Sequence, residues 1–314
     1  MNGRKRLAAA LFLGLSVLCM SGCSHDEPVK DHAAAMPAVT TAAAVTTVTT
    51  QTAPAAATTT TTAPVQKLSR PVVLDEQGRH LIQKVPHYTQ FSDYYTACEA
   101  LAGVSLLRYY GIDMTPERFL NGFLPVADYP GTGADGKMYG ESPWLYFIGD
   151  PMSYDGFGCY SGALVRGINK IKKGLAKGLR GQPLEKLCAN YIDKGQPVII
   201  WATMYMDYQQ ASMSWYLADG QEFTFMVPEH ALVLIGYDEY NYYFSDSLQY
   251  ENVVGYGREM TETAYNMLQM QAVVIDQQVL DEVPDFWRRP ADVLYEETME
   301  PEGYEAQWYD GVYW

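Results

Sequence analysis

A thiol at the start of a helix is the pattern in this chain best suited to chemistry. The stretch Gln90-Phe91-Ser92-Asp93-Tyr94-Tyr95-Thr96-Ala97-Cys98-Glu99 runs into residues 100–110. There the apolar side chains Leu101, Val104, Leu106, Leu107 and Tyr110 recur at helical spacing. Thr96 is expected as the N-cap, with Glu99 completing a capping box and Gly111 closing the helix in a left-handed conformation. Cys98 then falls in the first turn, where unpaired N–H groups and the positive end of the helix dipole favour an anion. A thiol in that place is expected to have a lowered pKa and to act as a nucleophile near neutral pH. Gln90 offers a side-chain amide to an oxyanion. A free cysteine is more often a small buried apolar residue, so a catalytic reading needs a matching base.

That base is His230, in Pro228-Glu229-His230-Ala231-Leu232-Val233-Leu234-Ile235-Gly236-Tyr237-Asp238. It stands at the mouth of an apolar strand. A turn over residues 238–241 returns the chain as Tyr242-Tyr243-Phe244-Ser245-Asp246, an antiparallel hairpin with His230 and Asp246 near the same open end. A carboxylate there would accept from one imidazole nitrogen, fix the tautomer and leave the other for the thiol. His25 and His32 lie in a low-complexity segment. His80 and His87 precede the helix, with no carboxylate-bearing hairpin after them.

Together these motifs resemble the bacterial C39-like peptidases of the papain-like superfamily, in their exported form. The matching pieces are Val85-Pro86-x-x-x-Gln90, Ala97-Cys98-Glu99-Ala100 through Tyr109-Tyr110-Gly111, Gly149-Asp150-Pro151, Gly156-Phe157-Gly158-Cys159-Tyr160, the histidine strand, and Ser245-Asp246. The separation 230 − 98 = 132 residues falls in the papain-like interval of about 130–150 between nucleophile and base. The resemblance implies Cys98 as nucleophile, His230 as base, Asp246 as orienting acid and Gln90 in the oxyanion hole. Ala97 departs from the Gly usual before the cysteine, and Ser247 from the Pro common after the aspartate. The implied fold is α+β and papain-like, an N-terminal helical half packed against a C-terminal antiparallel sheet. The implied activity is hydrolysis of peptide bonds in a peptide or protein substrate, without a cofactor. The reading from another class is a catalytically inactive surface module that binds peptide or cell-wall ligand. A third is the same acyl chemistry in an amidase or transglutaminase-like enzyme.

Composition and targeting signals frame the domain. Arg4, Lys5 and Arg6 precede the apolar run 7–18, which is too short to span a bilayer comfortably, so residues 1–22 read as an export signal. Met20-Ser21-Gly22-Cys23 resembles a bacterial lipoprotein processing box, which implies lipidation of Cys23 and anchoring at the extracellular face of the cytoplasmic membrane. Residues 23–64 are rich in Thr, Ala and Pro and read as a flexible stalk. The peptidase domain is expected over 65–280. An acidic, aromatic extension follows over 281–314, either packed on the domain or binding a partner. The net charge of −15 argues against nucleic acid as a partner, and a monomer is expected. No spacing suits a zinc site. Cys159 and Cys188 form either a disulfide or two buried thiols.

Residues 114–168 read as loop-rich, punctuated by Gly and Pro. Their aromatic side chains either line a groove or pack the loop onto the domain. Residues 184–194 are expected as a helix stopped by Gly195, followed by a buried strand over 197–202. The Met- and Tyr-rich stretch 204–227 reads as a long connection, a lid or one wall of a cleft. Trp215, Tyr216, Cys159 and Tyr160 are the candidate cleft residues.

Overall fold

The structure, a computed structural model, describes residues 72–91 and 93–299. The expected export signal, Cys23, the stalk and residues 300–314 lie outside the described residues. In chain order the elements are β1 (Val72–Leu74), β2 (His80–Ile82), α1 (Cys98–Tyr109), α2 (Pro116–Gly122), β3 (Val126–Ala127), β4 (Gly131–Thr132), β5 (Met138–Tyr139), β6 (Phe147–Ile148), α3 (Ser161–Ile168), β7 (Ala176–Arg180) and α4 (Leu184–Asn190). They continue with β8 (Val198–Thr203), β9 (Gln210–Tyr216), β10 (Glu222–Val227), β11 (Glu229–Tyr237), β12 (Asn241–Ser245), β13 (Val254–Gly257), α5 (Arg258–Met267), β14 (Gln271–Ile275), α6 (Gln277–Leu280) and α7 (Ala291–Met299).

The two longest apolar runs become the central strands. Every residue of β8 is buried, and so is β11 up to Gly236, because both faces of the sheet are covered. They pair antiparallel with His230 opposite Ala202. The main sheet runs β1-β2-β11-β8-β14-β7, with β12 joined to β11 and β13 to β12. All its pairings are antiparallel. Beside it stands a smaller sheet, β10-β9-β5-β4. The class is therefore α+β. The division into a helical first half and a sheet second half does not hold in detail, because β1 and β2 join the sheet from the N-terminal side and α5 and α7 lie late in the chain.

Helix α1 is buried along its whole length. Leu101, Ala102 and Ser105 share the walls of one small cavity with Ala231 and Val233 of β11. Its C-terminal end is closed as expected. Gly111 has φ +75°, its N–H donates to Arg108 O at 2.9 Å, and the Ile112 N–H donates to Leu107 O at 3.0 Å. These are the two bonds of a Schellman motif. The Arg289 N–H donates to Gly111 O, and buried Arg108 donates to Leu294 O at 2.8 Å and to Glu297. Residues 287–298 thus pack against the back of α1, with Leu294 fully buried.

The N-terminal end differs from the expected capping box. Ala97 is the N-cap and no side chain caps the helix. Thr96 turns its hydroxyl to the carbonyls of Asp150, Pro151 and Ser153, and Glu99 is drawn inward instead of back to the cap.

Two loop assignments are corrected. Residues 114–168 contain α2, whose N-cap Thr115 accepts from the Arg118 N–H with Pro116 in the first turn, and α3. The stretch 204–227 contains the β9–β10 hairpin, turning at Asp219-Gly220 with Leu217 N–H bonded to Gln221 O. Its tip strand β9 carries exposed residues up to Ser214 and then buried Trp215. The helix over 184–194 is α4 plus a 3₁₀ turn, Ile192–Lys194, closed by Gly195 at φ +69°.

Candidate active site

Strand β11 and the hairpin return bring His230 to Asp246. His230 Nε2 lies 2.6 Å from Asp246 Oδ1, and both side chains are buried. A carboxylate accepts, so Nε2 donates and its proton is fixed. Asp246 Oδ1 also accepts from the Leu248 N–H at 2.9 Å, and Oδ2 from the Tyr256 hydroxyl at 2.6 Å. Burial raises the Asp246 pKa. The His230 charge and these hydrogen bonds outweigh it and hold the carboxyl down at about 2. His230 Nδ1 is buried and has no hydrogen-bond partner.

The cysteine reaches the same strand. β12 makes its last pair with β11 at Val233–Ser245, so the edge of β11 near His230 is open on that side. The backbone N–H of Ala231, the residue after His230, donates to Cys98 Sγ at 3.4 Å. Gln90 is fixed at both ends of its amide. Its Nε2 donates to Tyr95 O at 3.0 Å and its Oε1 accepts from the Ser247 hydroxyl at 2.7 Å, while its backbone N–H donates to Ser247 O. These bonds settle which end of the amide is nitrogen and leave the second N–H of Nε2 for another acceptor.

The electrostatics of Cys98 run against the expectation of a lowered pKa. Burial raises the thiol well above its ordinary value, and the carboxyls of Glu99 and Glu229 raise it further, against a lowering by the Ala231 N–H. The thiol donates to Glu99 Oε2 at 3.3 Å. Glu99 Oε1 accepts the backbone N–H of Cys159. Glu229 begins β11 beside His230, and its Oε1 is buried without a partner. Donor atoms of Cys98, Glu99 and Glu229 lie within 4.8 Å of one another, all buried; this is the one group among the described residues with the arrangement of a metal site. Gly158, at φ +111°, lies between the two acids. A Cβ there would sit 2.6 Å from Glu229 Oε2 and 2.8 Å from Glu99 Oε1.

The expected cleft residues lie elsewhere. Cys159, Tyr160 and Trp215 are core side chains, and only Tyr216 is partly exposed. Tyr160 stacks on Phe225 at 5.7 Å, and Trp215 packs on Phe223 at 5.1 Å and donates to Glu141 O. These rings join the small sheet to the 156–160 turn. Cys159 and Cys188 are separate buried thiols. An open cleft of about 370 Å³ lies instead along Asp150, Pro151 and Met152, the loop that Thr96 holds, facing Leu120 and Tyr129. At the end of β8, Tyr205 and Met206 occupy left-handed backbone at φ 54° and 59°, strained for such side chains, and Tyr205 is exposed.

Spacing alone did not single out Glu99, Glu229, Ser247 or Tyr256. Glu229 sits next to His230 in sequence, and an acid at a buried strand start is the signal that marks it.

A cysteine, an imidazole oriented by a carboxylate and a held glutamine amide thus stand on an α+β frame. The chain belongs to the Peptidase_C39 like family, whose model matches residues 82–273. It is 28% identical over 182 residues to the uncharacterized protein YvpB of Bacillus subtilis (strain 168), which covers 58% of this chain and 69% of that protein. Among solved structures it resembles one described as a C39-like peptidase from Bacillus anthracis. The TM-score is 0.56 at 26% identity, covering 62% of this chain and 96% of that one.

Proposed function

We propose that the protein is a cysteine peptidase of papain-like arrangement that hydrolyses peptide bonds through Cys98, His230 and Asp246. The observation that carries the reading is the His230 ring. Its Nε2 is tied to Asp246 and its Nδ1 is left without a partner, one residue from the N–H that holds Cys98 Sγ. In the reaction the Cys98 thiol turns from Glu99 and gives its proton to His230 Nδ1. The thiolate attacks the carbonyl carbon, and Gln90 Nε2 with the Cys98 backbone N–H receives the oxyanion. His230 then protonates the leaving amine. Water, with His230 as base, hydrolyses the thioester and restores the thiol. The cleft along residues 150–152 takes the substrate chain.

The targeting signals extend the proposal to a lipid on Cys23 and a place at the outer face of the cytoplasmic membrane, with the enzyme a monomer. Fractionation of wild type beside Cys23→Ser reads this, since the variant leaves the membrane fraction if the lipid holds it.

One observation favours the second reading, an inactive binding module: the thiol is held neutral by burial and two acids. Wild type and Cys98→Ala, given a denatured protein or a peptide library, separate the two. Peptide products formed by wild type and absent with the variant are expected. Equal peptide binding by both, with no product from either, would leave a binding module.

A further inference from the structure

Two carboxyl groups lie beneath the sulfur, and the peptidase reaction has no use for either. Glu99 is fully buried and Glu229 is 5% exposed. Among the described residues neither forms an ion pair with Lys or Arg. Two adjacent carboxylates in a dry interior cannot both stay charged without a counter-ion. We infer that Glu99 and Glu229 act as a pair sharing one proton, with the charge on Glu99 and the proton on Glu229, and that this proton governs the ionisation of Cys98. The pair is a positioning and tuning device for the thiol. It rests on the reading of Cys98 as nucleophile.

The placement of the proton follows from the donors. Glu99 accepts the Cys159 N–H and the Cys98 thiol, so an anion there is solvated by the protein. Glu229 Oε1 has no donor, and the carboxyl has only a hydrogen bond from the Trp201 indole, which also donates to Cys159 O, so an anion there is less well solvated. Burial pushes both carboxyls up, Glu229 well above its ordinary range.

Around the pair, α1 contributes Cys98. The 156–160 turn contributes Cys159 and the Tyr160 hydroxyl, and β8 contributes the Trp201 indole. β11 contributes His230, whose charge lowers Glu99. Asp246 stands behind His230. Among the described residues no Lys or Arg faces the pair. With one negative charge on Glu99, the thiolate already meets one opposing carboxylate. A second charge, on Glu229, opposes the thiolate directly. Each proton is accounted for: the thiol proton passes to His230 Nδ1, and Glu229 keeps its own.

The experiment is the rate of alkylation of Cys98 by iodoacetamide, resolved by mass spectrometry, against pH for wild type, Glu229→Gln and Glu99→Gln. Glu99→Gln removes the buried unit charge a few ångströms from the sulfur and should lower the thiol midpoint by about one unit or more, whereas Glu229→Gln replaces a group that is already neutral and should leave it near that of wild type. On the rising limb the Glu99→Gln shift is a roughly tenfold faster rate at a given pH. An unchanged midpoint in Glu99→Gln, or a midpoint lowered by about one unit in Glu229→Gln, overturns the inference.

Denaturation against pH in a Cys98→Ser background reads the shared proton without the thiol. Folded carboxyl pKa values raised above the unfolded value give stability that is full below about pH 4.3 and is lost as pH rises through the folded pKa. Glu229→Gln should flatten that limb, and an identical slope with and without Glu229 overturns the pair. If the slope flattens while Cys98 stays inert in every variant, the shared proton stands and the peptidase reading falls. A divalent cation would neutralise the acids in the proton's place. An alkylation profile that moves on EDTA treatment and returns with Zn²⁺ would therefore also overturn the inference.

Discussion

The Ser247 hydroxyl grips the carbonyl end of the Gln90 amide. With the Tyr95 carbonyl on the other end, it fixes the donor that the proposed oxyanion would need. Replacing Ser247 by alanine removes one hydrogen bond of about 1 kcal/mol and lets the amide rotate. Turnover on a peptide substrate should fall roughly fivefold with KM nearly unchanged; an unaltered kcat would show that Gln90 needs no such support. The positions of Gln90, Cys98, His230 and Asp246 were legible in the sequence, since each is marked by residue type and by the pattern around it. Glu99 was read for its helix position and its role was missed. What gives it meaning is Glu229, 130 residues later, and only packing brings the two together. The thiol's electrostatics were missed for the same reason: a helix terminus was visible, but the acids beneath it were not.

At the scale of elements, α1 is seated from both ends. Its front is held by Thr96 on the 150–153 carbonyls, and its back by Gly111 and the chain near Arg289. A Cβ at Gly111 would meet Arg289 O at 2.8 Å, whereas one at Gly78, also at positive φ, meets nothing within 4 Å. Gly78→Ala should therefore cost only the left-handed penalty, about 1 kcal/mol, and Gly111→Ala about 2–3 kcal/mol in urea unfolding. Equal costs would mean that the Arg289 contact yields easily. The helix end, β8, β11 and β12 could be read in advance because long apolar runs and glycine stops are local signals. The N-cap could not, since Thr96 prefers carbonyls from a loop more than fifty residues away. Thr115-Pro116 and Asp219-Gly220 were local signals for α2 and the β9–β10 turn, masked by the glycine-rich and Met-rich stretches around them.

For the whole molecule, acid stability is tied to the site. The Asp246 pKa of about 2, against an ordinary 3.8, is a depressed folded-state value. Its contribution is present above pH 3.8 and is lost as pH falls through about 2. The size at neutral pH is about 2 kcal/mol. Asp246→Asn should remove this acid limb from a plot of unfolding free energy against pH, measured by urea titration. A limb of undiminished height would place the acid sensitivity elsewhere. The α+β class came from the resemblance carried by the cysteine and histidine motifs, and the small sheet and the aromatic layer beside it were not legible. Their strands β4 and β5 are two residues each, below the length at which alternation carries any signal.

Gly158 gives a last consequence. The turn that carries it comes between two acids, one on a helix and one on a strand. A single methyl group at that point would wedge them apart, and neither acid could then lean on the other. A residue with no side chain therefore sets the spacing on which the chemistry of the sulfur above it depends.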